Sequence, residues 1–173
     1  AAFPALAGRD WTIEDYVAAV GKSLAGVSAV LMELDKSGDA YSQSLAEAAR
    51  FQRVADGCAQ PGSGCSVSAI VASAPVTSGA AVMKAFLPEL SRVAPMTRGI
   101  REALWKRPEA AWGAQNATYV ASLRELAAYN LTLDLLANRT QLVGIAKLAG
   151  ALPELRINVN HLGYPEVAAS SFD

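Results

Sequence analysis

The chain alternates between segments with helical periodicity and short apolar runs typical of buried parallel strands. A helix is predicted over 12–24, with Thr12 as its cap and acidic residues in its first turn, and an apolar strand over 26–34 follows it. Four further helix–strand pairs come after it. The predicted helices cover 42–54, 78–93 with Ser78 as cap, 116–129, and 140 or 141–152, and the predicted strands cover 66–72, 97–104, 131–137 and 155–160. Pro88 indicates a break or a fresh first turn inside the third helix.

Five helices and five strands in strict alternation predict an α/β fold with parallel strands. Right-handed crossovers would place a helix outside each pair of neighbouring strands. Two architectures fit this order: an open doubly wound sheet, or part of a (β/α)8 barrel. A full barrel takes about 250 residues, so a chain of 173 residues would hold five βα units of one. We predict a single domain over residues 1–173.

Charge and hydropathy exclude several classes of partner. Fifteen basic residues against sixteen acidic ones give no electrostatic basis for binding nucleic acid or an anionic membrane. No apolar stretch approaches the roughly 20 residues that a membrane-spanning helix needs. We therefore expect a soluble protein, with the cytoplasm slightly favoured.

The sequence begins at Ala1 without an intact signal peptide, which leads us to expect either a removed upstream segment or a piece of a longer chain.

Two short motifs leave alternatives open. Cys58 and Cys65 flank a loop rich in Gly, Ser and Pro, and either a small disulfide or a pair of free thiols fits, with free thiols at least as well supported. Asn-x-Thr sequons occur at Asn116, Asn130 and Asn138, but motifs this short do not establish secretion.

The sequence contains no phosphate-binding P-loop, no dinucleotide-binding glycine motif and no nucleophile elbow.

The last fifth of the chain narrows the choice of architecture. The run LPELRINVNHLGYP at 152–165 resembles the sixth strand of the amidohydrolase-related (amidohydrolase 2) family, where a strand of this type ends in a functional histidine. TRGIREALW at 97–105 resembles the family's fourth strand with its Gly-Ile-Arg core. LTLDLLA at 131–137 resembles the fifth strand, and GVSAVLMELD at 26–35 resembles the second. The order and spacing of all four agree.

The resemblance implies the central part of a (β/α)8 barrel with its site at the carboxyl ends of the strands. Members of the family hydrolyse small substrates, notably lactones, or decarboxylate related acids, and some use a divalent metal such as zinc. In such a site a metal polarises a carbonyl and activates water, while carboxylates or imidazoles move protons. The implied activity is therefore hydrolysis of a small substrate at a C–O or C–N bond.

The sequence departs from the family where metal ligands are concerned. Nothing matches the His-x-His pair of the family's first strand or the aspartate of its eighth. Glu102 stands where a histidine often follows Gly-Ile-Arg, and His161 is the only histidine of the sequence. A catalytic zinc usually has three protein ligands drawn largely from histidine. We therefore assign no metal ligand and predict an incomplete site.

Five residues are the candidates for this site. His161 and Asp134 are the catalytic candidates, since one follows the last strand and the other interrupts an apolar strand, where a buried carboxylate needs a partner such as Arg101. Arg101, with its planar fork of donors, Glu33 and Asn160 are the substrate-binding candidates. Arg101 could instead form an ion pair with a neighbouring carboxylate, either that of Glu102 or one on a nearby strand.

Other positions have competing interpretations. For Glu33 and Asp35, solvated charges at a strand end are favoured over a site role. Asn158 shares one face of its strand with Asn160, and structural hydrogen bonding is the favoured role of both. Trp105 and Trp112 could line the mouth of a pocket, although covering the edge of the core is the more common role.

Three hypotheses about function follow. The chain is part of a larger amidohydrolase-type hydrolase, or it is a non-catalytic barrel remnant that acts as a binding or assembly protein. Five βα units leave strand edges open, so the second hypothesis requires self-association or a partner chain that completes the barrel. The third is an unrelated open sheet with a small-ligand site, which a non-sequential strand order would support.

Overall fold

Five parallel strands form one sheet in the order β1-β2-β3-β4-β5 in the computed structural model of the chain, which describes residues 12–20, 28–33, 41–105 and 107–165. The strands are β1 (Ala29–Met32), β2 (Val67–Ala72), β3 (Thr97–Ala103), β4 (Thr132–Leu136) and β5 (Ile157–Val159). Each strand pairs in parallel with the next strand along the chain. The predicted α/β fold is confirmed, and the sequential order agrees with a segment of a barrel rather than with a doubly wound sheet.

Six α-helices lie in the described part of the chain between and before these strands. They are α1 (Ile13–Val20), α2 (Tyr41–Cys58), α3 (Ala80–Val93), α4 (Glu109–Trp112), α5 (Ala117–Ala128) and α6 (Leu142–Ala151). Helix α2 continues to the first cysteine, four residues beyond the predicted end. The short α4 was not predicted, because four residues between Pro108 and Gly113 are too few to show a helical period. Residues 21–24 of the first predicted helix lie outside the described residues.

Two predictions about α3 are wrong. Ser78 is not its cap: it ends a 3-10 turn, Val76–Ser78, and Gly79 at φ 94° is the capping residue instead. Glycine is suited to this position because a side chain would strain that left-handed backbone. Pro88 does not break the helix, which runs on to Val93. Pro88 and Lys84 are both exposed, so water can bind the carbonyl that lacks a helical partner.

The hydrophobic core lies on the helix side of the sheet. Ile100 of β3 and Leu133 of β4 are fully buried there, together with Phe86 of α3 and Leu123 of α5. Because side chains alternate between the two faces of a strand, the residues between these core positions point to the opposite face. That second face carries the candidate site.

Two further observations bear on the predictions from sequence. Cys58 and Cys65 form a disulfide that closes the loop after α2, which decides between the two alternatives for these cysteines. In the parts of the chain that the structure describes, none of the helices has the length and apolar character needed to cross a membrane.

Candidate functional site at the carboxyl ends of the strands

The strand register brings three polar residues into one row on the face away from the helices. Arg101 of β3 pairs with Asp134 of β4, and Asp134 pairs with Asn158 of β5. Arg101 lies in the carboxyl-terminal half of β3, Asp134 and Asn158 lie at the middle of β4 and β5, and Asn160 follows the end of β5. Sites of α/β barrels are built at this end because the loops that follow the strands converge there.

Arg101 is held by contacts to two separate strand ends. Its Nε donates to Oδ1 of Asn160 at 2.8 Å, and its Nη1 donates to the carbonyl oxygen of Glu33 at 2.9 Å. Nη1 also lies 3.4 Å from Oε1 of Glu33, and the two side chains are only 5% and 3% exposed. Within the described residues no hydrogen bond engages the remaining nitrogen, Nη2. One edge of a planar, positively charged donor is thus left for a ligand.

Asp134 accepts hydrogen bonds at both carboxylate oxygens. Nδ2 of Asn160 donates to Oδ1 at 3.1 Å, while Thr132 and Asn158 donate to Oδ2 at 3.2 and 3.4 Å. The residue is 7% exposed. Asn160 therefore bridges Arg101 and Asp134, accepting from the first and donating to the second. The predicted direct partnership of Arg101 with Asp134 is replaced by this bridge and by the ion pair with Glu33.

Gly99 makes room for this arrangement and was not singled out as a site residue. A Cβ atom built on it would overlap Oγ1 of Thr132 and lie 3.3 Å from Oδ2 of Asp134. A side chain at this position would displace both groups. The Gly-Ile-Arg sequence contained the signal, since a glycine inside a strand often marks a close approach of neighbouring groups.

His161 is near this network but does not join it. Its exposed ring packs against Tyr164, with centroids 4.9 Å apart, and Tyr164 packs in turn against Trp105 at 4.6 Å. The described residues offer its ring no hydrogen-bond partner. His161, Leu162 and Tyr164 all have a left-handed backbone, with φ of 52°, 54° and 50°. Three non-glycine positions of this kind within four residues, with Gly163 among them, are costly, and such strain concentrates at functional sites.

The structure corrects several interpretations of neighbouring residues. Glu33 is not a solvated charge: it is 2% exposed and contacts Arg101. Asn158 and Asn160 do share one side of the last strand, and both donate to Asp134. Asp35 lies outside the described residues.

The two candidate tryptophans have different surroundings. Trp112 is 1% exposed and belongs to the core, although it also lines a cavity of about 410 Å³ with Glu109 and Asn138. Trp105 is 41% exposed and forms the aromatic contact with Tyr164. Trp105 is therefore the tryptophan that lies beside the candidate site.

Glu102 points to the other side of the sheet, away from Arg101. It forms an ion pair with Arg107, and the two side chains are 9% and 25% exposed. Burial raises the pKa of the neighbouring Tyr119 phenol well above its ordinary value, and the charge of Glu102 raises that pKa further. The Tyr119 hydroxyl has no hydrogen-bond partner in the described part of the chain. One alternative from the sequence paired Arg101 with Glu102. In the structure Arg101 instead pairs with Glu33, and Glu102 pairs with Arg107.

The described residues do not fit the divalent metal that the family resemblance implies. No group of three or more His, Cys, Asp or Glu side chains in the described residues could hold a metal ion. On the site face, the cationic Arg101 lies against Glu33 and is joined through Asn160 to Asp134. A metal bound at this site would need ligands from outside these residues.

Comparison with solved structures gives a likeness to an amidohydrolase. No protein-family model matches the sequence, and no curated protein matches it. A solved structure, amidohydrolase 2 from Bifidobacterium longum subsp. infantis, is similar with a TM-score of 0.59 and 25% sequence identity, covering 94% of this chain and 54% of that one. The chain thus spans about half the length of the structure it matches. Its fold is amidohydrolase-like, a partial TIM-barrel-type arrangement of parallel strands and helices.

Proposed function

We propose that this chain carries part of the active site of an amidohydrolase-type hydrolase that cleaves a small substrate, such as a lactone, at a C–O or C–N bond. The observation that carries the proposal is the convergence of Arg101, Glu33, Asp134 and Asn160 at the carboxyl ends of the strands. The similarity to a structure named amidohydrolase 2 supports the reaction class. Further βα units or a partner chain would complete the site.

Arg101 is proposed as the group that binds the substrate. Glu33 and Asn160 hold the guanidinium through Nη1 and Nε, so its position is fixed before a ligand arrives. The edge with Nη2 can then donate to a substrate carboxylate, or to the oxygen that becomes negative when water attacks a carbonyl carbon. Because the donor is already oriented, little reorganisation is needed during the reaction.

Asp134 and His161 are proposed as the groups that move protons. Asp134 lies in the same row as Arg101, and its carboxylate can accept a proton from an attacking water. The exposed imidazole of His161, beside Tyr164 and Trp105, can deliver a proton to the leaving oxygen or nitrogen. No step is assigned to a metal, because these residues do not assemble a donor set for one.

Hydrolysis assays on the natural protein that contains these residues test the proposal. A panel of lactones, esters and amides, with and without a carboxylate, would be compared for wild type and His161→Gln, with Gln60→Asn on the exposed loop after α2 as the control. We expect hydrolysis of at least one carboxylate-bearing lactone or ester, and on the order of 100-fold slower turnover for His161→Gln alone. Absence of hydrolysis across the panel, or equal rates for both variants, would count against the proposal.

A binding or assembly role is the second candidate, and one observation favours it. Val30 and Met32 of the edge strand β1 are 52% and 38% exposed, and among the described residues β1 pairs only with β2. Exposed apolar side chains on a strand with one unpaired edge favour association. We propose that a second copy or a partner chain covers this edge. Replacing Val30 and Met32 by lysine should then reduce the mass seen by light scattering, and an unchanged mass would reject this role.

A further inference from the structure

The disulfide and the three Asn-x-Thr sequons have no place in the proposed hydrolytic site. A disulfide joins Cys58 to Cys65, and such bonds persist mainly in oxidising compartments such as the secretory pathway. That pathway is also where asparagine in a sequon receives an oligosaccharide. The three candidate asparagines differ sharply in what their side chains do in the fold.

Asn116 is already committed to the structure of a helix start. Its Oδ1 caps α5 by accepting from the backbone N–H of Tyr119 at 3.0 Å. Its Nδ2 donates to the carbonyl oxygens of Ala110 and Ala111, both at 3.1 Å. A glycan bonded to Nδ2 would remove one of its two hydrogens and crowd α4. This sequon is poorly compatible with a glycan.

Asn138, after β4, is engaged through its Oδ1 alone, and within the described residues its Nδ2 donates to nothing. Its Oδ1 accepts from the backbone N–H of Thr140 at 3.0 Å and from the Thr140 hydroxyl at 2.6 Å, as part of a capping box. The side chain is half-buried and lines the cavity of about 410 Å³. A glycan at this position would fill the cavity mouth near the carboxyl ends of the strands.

Asn130 differs from Asn116 and Asn138, which are half-buried, in its exposure and its place in the fold. It is exposed, in the turn between α5 and β4, where its backbone is left-handed at φ 55°. Its backbone carbonyl and its Oδ1 each accept from Arg156 at 2.9 Å, which fixes the side chain, while within the described residues Nδ2 donates to nothing. It precedes β4, so it lies at the amino ends of the strands, away from Arg101 and Asp134.

We propose that Asn130 carries an N-linked oligosaccharide and that the protein matures in an oxidising secretory compartment, in place of the cytoplasm that the sequence slightly favoured. The donor is an oligosaccharide joined to a lipid diphosphate. Nδ2 of Asn130 bonds to the anomeric carbon of the first sugar and gives up one proton. The bond from that carbon to the diphosphate oxygen breaks, and the lipid diphosphate leaves with the electron pair.

Peptide mapping of the natural protein tests this proposal. The protein is digested without reductant and treated with a peptide N-glycosidase in heavy-oxygen water, which converts a glycosylated asparagine to a labelled aspartate. We expect label at Asn130, none at Asn116 or Asn138, and a single peptide that contains both Cys58 and Cys65 and is lighter by two hydrogens than its reduced form. Unlabelled Asn130 overturns the proposal, whatever the state of the cysteines.

A pair of variants separates Asn130 from the other sequons. The chain is sent through the secretory pathway of a eukaryotic cell as wild type, Asn130→Gln and the control Asn138→Gln. We expect Asn130→Gln to abolish the glycosidase-sensitive decrease in mass and Asn138→Gln to retain it. The reverse pattern, or a decrease in mass that survives in Asn130→Gln, overturns the assignment. Neither outcome depends on hydrolytic activity.

Discussion

Arg101 and Glu102 are neighbours in β3, nearly equally buried, and lie on opposite faces of the sheet. Arg101 contacts Glu33 and Asn160, which come from two other strand ends. Glu102 pairs with Arg107, five residues along the chain, beside the buried Tyr119. The first ion pair belongs to a polar network in which, among the described residues, Nη2 of Arg101 has no partner, and the second lies against the core with Arg107 partly exposed. Burial of a charge therefore does not identify a functional site, whereas the polar groups around that charge do.

The largest effect expected from this comparison is on activity, at Arg101. In Arg101→Lys the positive charge is kept, but the planar fork that joins Glu33 and Asn160 is lost. We expect kcat/KM to fall by about 100- to 1,000-fold, with a change of less than about 2 kcal/mol in the free energy of unfolding. Arg124→Lys is the control, because that side chain is 59% exposed on α5. Equal kinetics for the two variants would remove Arg101 from the site.

Alanine substitutions at two glycines, one on each side of the sheet, should have effects of intermediate size. In Gly99→Ala the new methyl group would displace Thr132 and Asp134 on the site face, whereas in Gly144→Ala it would meet Trp112 at 2.7 Å on the helix side. We expect each to lower the free energy of unfolding by about 1–3 kcal/mol. Only Gly99→Ala should also lower kcat/KM, by about tenfold. Kinetics and urea denaturation on both variants check this, and equal losses of activity would mean that the two faces are coupled.

The smallest effect is a stabilisation, expected for Tyr119→Phe. The buried hydroxyl lacks a partner among the described residues, so its removal should raise the free energy of unfolding by about 1 kcal/mol, or Tm by roughly 2–4 °C. Because burial raises the pKa of Tyr119 in the folded state, the unfolded state loses the proton first as the pH passes about 10. The wild type should therefore lose stability above that pH.

The same variant gives the pH test. Tyr119→Phe lacks the titrating hydroxyl, so its advantage over wild type should widen between about pH 8 and pH 10.5. Urea denaturation of both proteins at the two pH values measures this. A constant difference between them would show that Tyr119 ionises equally readily in the folded and unfolded states.

Much of the sheet was predictable because its signals are local. Apolar runs such as 131–137 are bounded by turns, and their order gave both the parallel fold and the family resemblance. Alternation along β3 also separates Arg101 from Glu102, since adjacent residues of a strand face opposite sides. The error at Ser78 has the same origin, because sequence favours serine as a cap whereas the backbone after the 3-10 turn is left-handed and suits Gly79.

The contacts of the site could not be predicted in this way. Arg101 and Glu33 are 68 residues apart and come from strands that do not pair with each other. Asn160 bridges Arg101 and Asp134 only because the chain turns immediately after β5 into a left-handed segment. Such partners depend on the curvature of the sheet and on loop conformation, which no local pattern specifies.

The proposed site is tested most directly by measuring kcat/KM and the free energy of unfolding together for Asp134→Asn and Glu102→Gln. Both variants neutralise one buried carboxylate, on opposite faces of the same sheet. We expect Asp134→Asn to lower kcat/KM by at least about 100-fold. We expect Glu102→Gln to leave kcat/KM within about twofold and to cost about 1–3 kcal/mol of stability, less than a fully buried pair because Arg107 is partly exposed. Full activity in Asp134→Asn would contradict the proposed role of Asp134.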